Sequence, residues 1–410
     1  MPRIIVDLHI HGPYSRATSS QISVGELAKW GEIKGLNLIG TGDCTHRRWL
    51  GELKQTLEEV PGTNLYKASK LFGSRIWFMV TGEVSTIFER EGKTKKVHHL
   101  LLLPSIEDAQ HVAEALKVYG DLEVDGRPTL KASASEVVEK IFEACPEAVV
   151  IPAHIWTPWF SLFGDKSGFN RIEDCYEDMT KKIFALETGM SSDPPMNWRL
   201  SSLDKYTLVS NSDSHSFWPW RLGREANIFD LLKTTFREVV EAIRAKDPQR
   251  FRATIEVSPA YGKYHWTGHR TCQISLPPEE AVKMGSICPK CGKPLTKGVD
   301  QRILELADRP LGQRAPGAIG YVHLLPLHEV IATVLGVSTP NGKEVWNIYN
   351  RLVNSFGSEL NVLLSAPYQE LTQRAGKSLA QAVLQVRLDK IVVKPGYDGV
   401  YGVPVLEKSP

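Results

Sequence analysis

The chain has little of several things, and each shortage excludes a class of protein. No apolar run approaches the ~18 residues that a membrane span needs, so a transmembrane protein is not expected. Six Cys in 410 residues are too few for a disulfide scaffold. An excess of one charge is missing too: 49 Lys and Arg stand against 47 Asp and Glu, for a net +2. That excludes a globally basic nucleic-acid binder and leaves room for a local basic groove. The opening MPRIIVDLHIHG has no charged segment leading into an apolar stretch and a small-residue cleavage site. Secretion is therefore not expected, and the expected location is cytoplasmic. Common catalytic signatures fail as well. His328-Glu329 is followed by Val-Ile-Ala, so there is no HExxH. No GxSxG elbow or Gly-rich dinucleotide fingerprint is present, and Leu371 stands where a phosphate loop ending in Gly376-Lys377-Ser378 needs its first Gly.

What is present is an ordinary globular composition, 42 % apolar and 23 % charged, long enough for two or three domains at roughly 100–200 residues each. The first half alternates strand-like and helix-like segments. Arg3–Ile10, Leu36–Thr41, Trp77–Thr81, Val97–Leu103, Ala148–Ala153, Phe184–Glu187 and Thr207–Ser210 read as strands. Val24–Ile33, Ile106–Tyr119, Ala134–Cys145 and Leu231–Ala245 have helical spacing. Alternation of this kind predicts parallel strands covered by helices, and about seven repeats fit a closed α/β barrel better than an open sheet. The pattern changes near residue 250. Tyr261–Lys297 is dense in Gly, Pro, Cys and His, and from about Gln313 onward helices are expected at Leu327–Leu335, Lys343–Phe356, Tyr368–Ala375 and Leu379–Val386. A strand, turn and strand should end the chain over Ile391–Val405. Three units follow: 1–250, 251–310 and 311–410.

The cysteines are unevenly placed. Cys44, Cys145 and Cys175 are scattered and read as buried thiols, whereas His269-Arg-Thr-Cys272 and Cys288-Pro-Lys-Cys291 form two closely spaced pairs. A two-residue gap lets both side chains turn toward one tetrahedral ion, and Gly292 supplies the turn after the second pair. The expectation is a structural zinc held by His269, Cys272, Cys288 and Cys291, with His265 competing for the histidine place.

Acidic and imidazole groups of the first unit gather at strand ends. Asp7, His9 and His11 alternate; Asp43 and His46 follow the second strand; Glu83 follows the third; His98 and His99 lie in the fourth. His154, Glu187, Asp213 and His215 end the remaining ones, so seven of the 12 His fall in this set. In parallel α/β barrels, functional groups collect at the C-terminal strand ends. A buried group of carboxylates and imidazoles without cations would be costly, and a mixed N/O donor set suits Zn, Mn or Fe rather than Ca. There are enough donors for two or three ions.

Asp7-Leu-His-Ile-His11, Gly42-Asp43, Gly82-Glu83, Ala153-His154 and Ser212-Asp213-Ser214-His215 resemble, in order, the motifs of the PHP metallophosphoesterases. The resemblance implies a distorted seven-stranded α/β barrel with two or three divalent ions (Zn, Mn or Mg). It implies metal roles for His9, His11, Glu83, His154, Asp213 and His215, with Glu83, Asp213 and His215 catalytic. It also implies one ligand from the His98–His99 pair, with His99 favoured because Leu100–Leu103 follow it. Where that family has Asp-His, this chain has Asp43-Cys44, so Asp43 or His46 must serve. The order of barrel, Tyr264-His-Trp-Thr-Gly-His-Arg-Thr-Cys272, Cys288-Pro-Lys-Cys-Gly-Lys293, Leu325-Pro-Leu-His-Glu329 and Pro395-Gly-Tyr-Asp-Gly-Val-Tyr-Gly402 looks like the endonuclease Q family of DNA-repair nucleases. That implies cleavage 5′ of deaminated bases (uracil, hypoxanthine, xanthine) and of abasic sites. It also implies DNA as partner and a sliding clamp as a further partner, although no clamp motif is visible in Val405–Pro410. Trp156, Trp159 and Trp218 can stack on an extruded base or merely pack the rim. Arg221, Arg224, Lys290 and Lys293 are candidate phosphate contacts, with Lys297 beside them. The rival readings are a small-molecule phosphoesterase of the same superfamily and an inactive DNA-binding scaffold.

Overall fold

The structure is a computed structural model that describes residues 1–70 and 73–405. Of Val405–Pro410, where no clamp motif is visible, all but Val405 lies outside the described residues. Among the described residues, no helix is long and apolar enough to cross a membrane.

The fold is mixed α/β, with one large sheet and a helical C-terminal region. In spatial order the sheet runs Gly320–His323, Phe251–Glu256, Ala226–Asp230, Arg3–Asp7, Leu38–Gly40 and Trp77–Arg90, with Leu65–Ala68 and Leu57–Val60 at the far edge. The expected parallel pairing holds only in part. Arg3–Asp7, Leu38–Gly40 and Trp77–Arg90 pair in parallel, as do Ala185–Glu187 and Thr207–Val209. Ala226–Asp230 is antiparallel to Arg3–Asp7, and Lys93–Leu103 is antiparallel to both Trp77–Arg90 and Val149–Pro152. The cause is local: Trp77–Arg90 and Lys93–Leu103 are joined by a tight turn with Glu91 and Gly92 at positive φ. A turn that short can only make a hairpin.

Cross-links then bring the remaining strand ends to the same centre. The backbone N–H of Ile155 donates to the Glu187 carbonyl at 3.0 Å, that of Ser210 to Asn227 Oδ1 at 3.0 Å, and that of Leu8 to Asn211 Oδ1 at 2.8 Å. Two apolar clusters support this arrangement. One lies among the strands, around Val6, Leu38, Met79, Leu100, Val149, Ala185 and Phe229. The other fills the space between strands and helices and continues into the C-terminal helices.

Helix starts follow the caps. Ser23, Ser105, Ser133 and Thr235 each accept from a backbone N–H in the first turn of the following helix, with a complete capping box at Ser133 and Glu136. Thr235 corrects one boundary. The helix expected from Leu231 begins at Phe236, because Ala226–Asp230 is a strand and Leu231–Thr235 is the connection. In the C-terminal region the helices Leu327–Leu335, Lys343–Phe356 and Tyr368–Ala375 fall where the spacing places them, and Val392–Lys394 pairs with Val403–Val405. Gly320–His323 is an exception to the helical reading of that region: it adds a parallel strand beside Phe251–Glu256 in the main sheet.

Candidate metal centre

Two groups of donors meet beside the sheet, with His9, His11, His154 and Asp213 just beyond strands and Glu83 and His98 within the hairpin strands. His9, His11, Glu83 and Asp213 bring one ligand atom each within 4.8 Å of one another, and so do Glu83, His98 and His154. Glu83 belongs to both. Its Oε1 lies 2.8 Å from His98 Nδ1 and 3.1 Å from His154 Nε2, while its Oε2 lies 3.4 Å from His11 Nε2. Asp213 Oδ1 is 3.0 Å from His11 Nε2 and 3.8 Å from His9 Nε2. A carboxylate shared in this way can bridge two ions.

The imidazoles are aimed from behind. Glu187 receives His9 Nδ1 at 2.9 Å and also accepts from Asn211 and from the backbone N–H of His154. Asp43 receives His11 Nδ1 at 3.0 Å and is itself held by Ser15 and the N–H of Gly12. His154 Nδ1 meets Thr157 Oγ1 at 3.2 Å. In each case the far nitrogen is presented to the centre, which is the carboxylate- or hydroxyl-backed histidine typical of metal ligands. Three residues of this centre, Asp43, His154 and Asp213, hold positive φ, at 46°, 31° and 46°. Such backbone is costly for non-Gly residues and gathers at functional sites.

The charge state fits cations. Burial opposes ionisation of Glu83, yet His98, His9 and Arg127 outweigh it and hold the carboxyl well below its usual range. Burial likewise opposes the ionised Asp213, and His11 and His9 overcome it. Burial lowers His11, but Asp213 and Asp43 more than compensate and raise it to about 9; the negative charge that draws a proton to this ring is the charge a divalent ion would neutralise in its place. Most tellingly, His9 Nε2 is fully buried with no hydrogen-bond partner. A buried orphan facing ionised carboxylates is what a divalent ion would satisfy.

Several expected residues are placed differently. His99 is not in the centre. In the hairpin register His98 lies opposite Ser85, on the face of Glu83, whereas His99 lies opposite Val84. His99 is instead locked between Thr86 Oγ1 and the Tyr176 hydroxyl at 3.0 and 2.8 Å, and burial lowers it to about 3, so it stays neutral. His46 caps the helix Arg47–Thr56 and stacks on Tyr14. Asp43 orients His11 rather than joining either donor group. His215 lies at the rim, its ring 4.5 Å from that of His11.

Trp156 is a core residue, 1 % exposed and bonded to Asn197 at 2.7 Å, so it offers no face to a ligand. Trp218 is stacked on Trp220 within an aromatic cluster, and Trp159 is 42 % exposed beside Tyr264. Arg224 donates from Nε and Nη2 to the Ser212 carbonyl, which fixes the Asp213 turn. Lys290 donates to the Cys272 carbonyl, Lys297 pairs with Asp165 and Glu305, and Arg221 and Lys293 are exposed. Arg127 was not expected. Its loop is pinned by Gly126 N–H on the Tyr14 carbonyl, and its Nη1 sits 3.3 Å from Glu83 Oε2. No spacing rule points to a lone Arg in a loop.

A third donor group, apart from the two that share Glu83, is His269, Cys272, Cys288 and Cys291, again within 4.8 Å. His269 Nδ1 is 3.4 Å from Cys291 Sγ, and His265 lies outside the group. Burial raises the Cys288 thiol, but the His269 contact and the N–H groups of Lys290 and Cys291 lower it to about 6, favouring the thiolate. Gly292, at φ 70°, makes the knuckle turn by donating to the Cys288 carbonyl.

Comparison with known proteins places this geometry. Residues 326–390 match the family model "MJ0043 C-terminal domain". The chain is 28 % identical to the protein YqxK of Bacillus subtilis over 98 % of its own length and 99 % of that protein. It is 33 % identical over 255 residues to the protein MJ0043 of Methanocaldococcus jannaschii, covering 60 % of this chain and 31 % of that one. Among solved structures, endonuclease Q in complex with a 27-mer duplex bearing an abasic lesion at its active site superposes with a TM-score of 0.86 at 34 % identity, over 98 % of this chain and 96 % of that one. The lesion-specific endonuclease Q of Pyrococcus furiosus superposes at 0.87, also 34 % identical, over 98 % and 95 %. With a third of its residues kept over nearly both full lengths, the chain belongs to the endonuclease Q family.

Proposed function

We propose that this chain is a metal-dependent DNA-repair endonuclease that cuts the phosphodiester bond 5′ of deaminated bases (uracil, hypoxanthine, xanthine) and of abasic sites. The observation that carries the reading is Glu83, a buried carboxylate shared by two histidine-bearing donor groups in a chain of this family. Two or three divalent ions (Zn, Mn or Mg) held by His9, His11, Glu83, His98, His154, Asp213 and His215 would supply a water of lowered pKa and neutralise charge at the attacked phosphate. Around them the protein's own groups have distinct parts. Glu187 and Asp43 fix the ring orientation of His9 and His11. Arg224 sets the turn that carries Asp213. His215, at the rim, is the most exposed imidazole of the set. The His269–Cys272–Cys288–Cys291 group takes one structural zinc.

On this reading the strands of 1–250 form the distorted seven-stranded barrel, 251–310 is the zinc module, and 311–410 is a DNA-contacting helical unit. Trp159, Arg221 and Lys293 are the exposed DNA contacts, and work on DNA repair fits a cytoplasmic location.

The test is incubation with Mn or Mg and labelled duplexes that carry uracil, hypoxanthine, an abasic site or no lesion. A nick on the 5′ side of the lesion is expected, with Asp213→Asn binding the same duplex without cutting it. Phosphate release from small esters with no duplex cut would establish the phosphoesterase instead. Tight binding with no nick by the wild-type protein would leave a scaffold.

A further inference from the structure

The groups of the metal centre are not equally open to solvent. The side chains of His9, His11 and Glu83 are fully buried, and those of His98 and His154 nearly so. Asp213, His215 and Arg127 keep 31 %, 30 % and 22 % of theirs exposed. These three therefore form the mouth by which a large substrate reaches the buried donors. Arg127 is the one permanent cation among the three.

Its backbone is held on both sides. Asp125 Oδ1 accepts from the Arg127 N–H at 3.1 Å and from the Arg16 N–H at 3.2 Å, which ties this loop to the one that follows His11. Gly126 fits against that second loop because it has no side chain: an added Cβ would run into Asp43 Oδ2 and Ser15 Oγ, the groups behind His11. On the far side, the Pro128 carbonyl accepts from the Ser85 N–H at 2.9 Å. The guanidinium itself is not used up. Nη1 lies 3.3 Å from Glu83 Oε2, while Nε and Nη2 donate to nothing among the described residues.

A guanidinium beside a carboxylate can serve as its counter-ion. Glu83 already faces His98, His9 and His154, however, and bound ions would take up its charge, so that service is redundant once the centre is loaded. Spare N–H donors at an open mouth match a phosphodiester instead, whose two anionic non-bridging oxygens suit the guanidinium fork.

We propose that Arg127 is a further catalytic residue, whose free N–H groups donate to a non-bridging oxygen of the attacked phosphodiester. The proposal rests on the endonuclease reading above and adds a substrate contact to it. Hydrolysis joins the hydroxyl of water to phosphorus and passes its remaining proton to the departing ester oxygen. While one bond forms and the other breaks, the non-bridging oxygens carry extra negative charge. A donor already fixed at that position lowers the barrier without having to reorganise. Such a contact is blind to the base, so Arg127 serves every lesion alike.

Two variants test this. Arg127→Ala removes the fork and leaves room for a small guanidinium from solution, and Arg127→Lys keeps a charge beside Glu83 without the fork. Metal content, melting temperature and single-turnover nicking of uracil and abasic duplexes at saturating Mn are measured on both. Both variants should carry the wild-type complement of metal. Nicking of the two duplexes should fall by the same factor, about 100-fold for Arg127→Ala and less for Arg127→Lys. Added methylguanidinium should restore part of the rate to Arg127→Ala and none to Arg127→Lys. A wild-type nicking rate in Arg127→Ala would overturn the contact. So would a rate that falls only in proportion to lost metal, which would leave Arg127 as the counter-ion of Glu83. Should Arg127→Ala fail to fold, Arg127→Lys decides by the same measurements. A wild-type protein that nicks neither duplex would overturn the endonuclease reading, and the contact with it.

Discussion

At the scale of single residues, His98 and His99 carry the sharpest contrast. They are adjacent, both buried, and chemically identical, yet strand alternation sends them to opposite faces. His98 meets Glu83 and His154, and burial lowers it to about 4, so it is neutral and ready to ligate. His99 spends both ring nitrogens on Thr86 and Tyr176. His98→Gln should therefore lose bound metal and nicking together, whereas His99→Gln should keep its metal and lose stability by about 1–3 kcal/mol. Metal content by elemental analysis and denaturant melts on the two variants decide it; loss of metal from His99→Gln alone would reverse the assignment. The structure brings together His9, His11, Glu83, His154 and Asp213, which the sequence also groups; His9, His11, His154 and Asp213 follow strands, whereas Glu83 lies within Trp77–Arg90. The sequence does not separate ligands from the groups that aim them. Asp43 looked like a ligand and instead holds His11, because a carboxylate beside an imidazole reads the same along the chain in either role. The choice between His98 and His99 depended on which face of Trp77–Arg90 each one met, and that register belongs to the hairpin.

At the scale of elements, regular apolar spacing made the helices legible, and short buried strands were harder. Leu327–Leu335 and Lys343–Phe356 show amphipathic spacing over several turns, whereas Ala226–Asp230 and Gly320–His323 are too short for periodicity to announce. Gly320–His323 ends in a residue that ties two regions. His323 Nε2 meets Asp193 and its Nδ1 meets Asp389, each at 3.1 Å. Burial lowers this histidine, but the two carboxylates outweigh it and raise it from 6.5 to about 10. Because the folded value is above the unfolded one, the stabilisation is complete below pH 6.5 and is lost as pH rises through 10. Melts of the wild type and His323→Gln should therefore differ most near pH 6 and converge toward pH 10; a constant gap would exclude the ion pairs as its source. The knuckle element is tested by its metal. Cys288→Ser should carry one zinc fewer per chain and melt at lower temperature, since a four-donor site that closes two loops contributes its binding energy to folding. Unchanged zinc content would overturn the site.

At the scale of the whole molecule, the C-terminal helices brace the loop that follows Asp213 and His215. Trp30, Phe217, Trp218 and Trp220 from the first 250 residues meet Trp346 and Tyr349 in one aromatic cluster, with centroids 4.9–6.5 Å apart. Such pairs add about 0.5–1.5 kcal/mol each beyond the area they bury. Beneath the cluster lies an ion pair buried on both sides. Lys34 Nζ donates to Glu359 Oε1 at 2.8 Å and to the Pro219 carbonyl at 2.7 Å. Glu359 also accepts from the Leu327 N–H and the Tyr349 hydroxyl. One carboxylate thus joins the helix that follows Leu327, the helix Lys343–Phe356 and, through Lys34, the loop carrying Trp218 and Trp220. Removing one partner strands the other: Lys34→Met leaves a buried unpaired carboxylate and should cost about 3–5 kcal/mol. Lys34→Met with Glu359→Gln removes the stranded charge while an amide oxygen still accepts from Leu327, so it should recover most of that loss. The recovery in denaturant melts measures the charge, and nicking measures the brace. If the helices hold the Asp213 loop in place, the single variant should lose activity more than its folded fraction explains, and the double variant should regain both. A single variant that is destabilised yet fully active per folded molecule would make the pair a matter of stability alone.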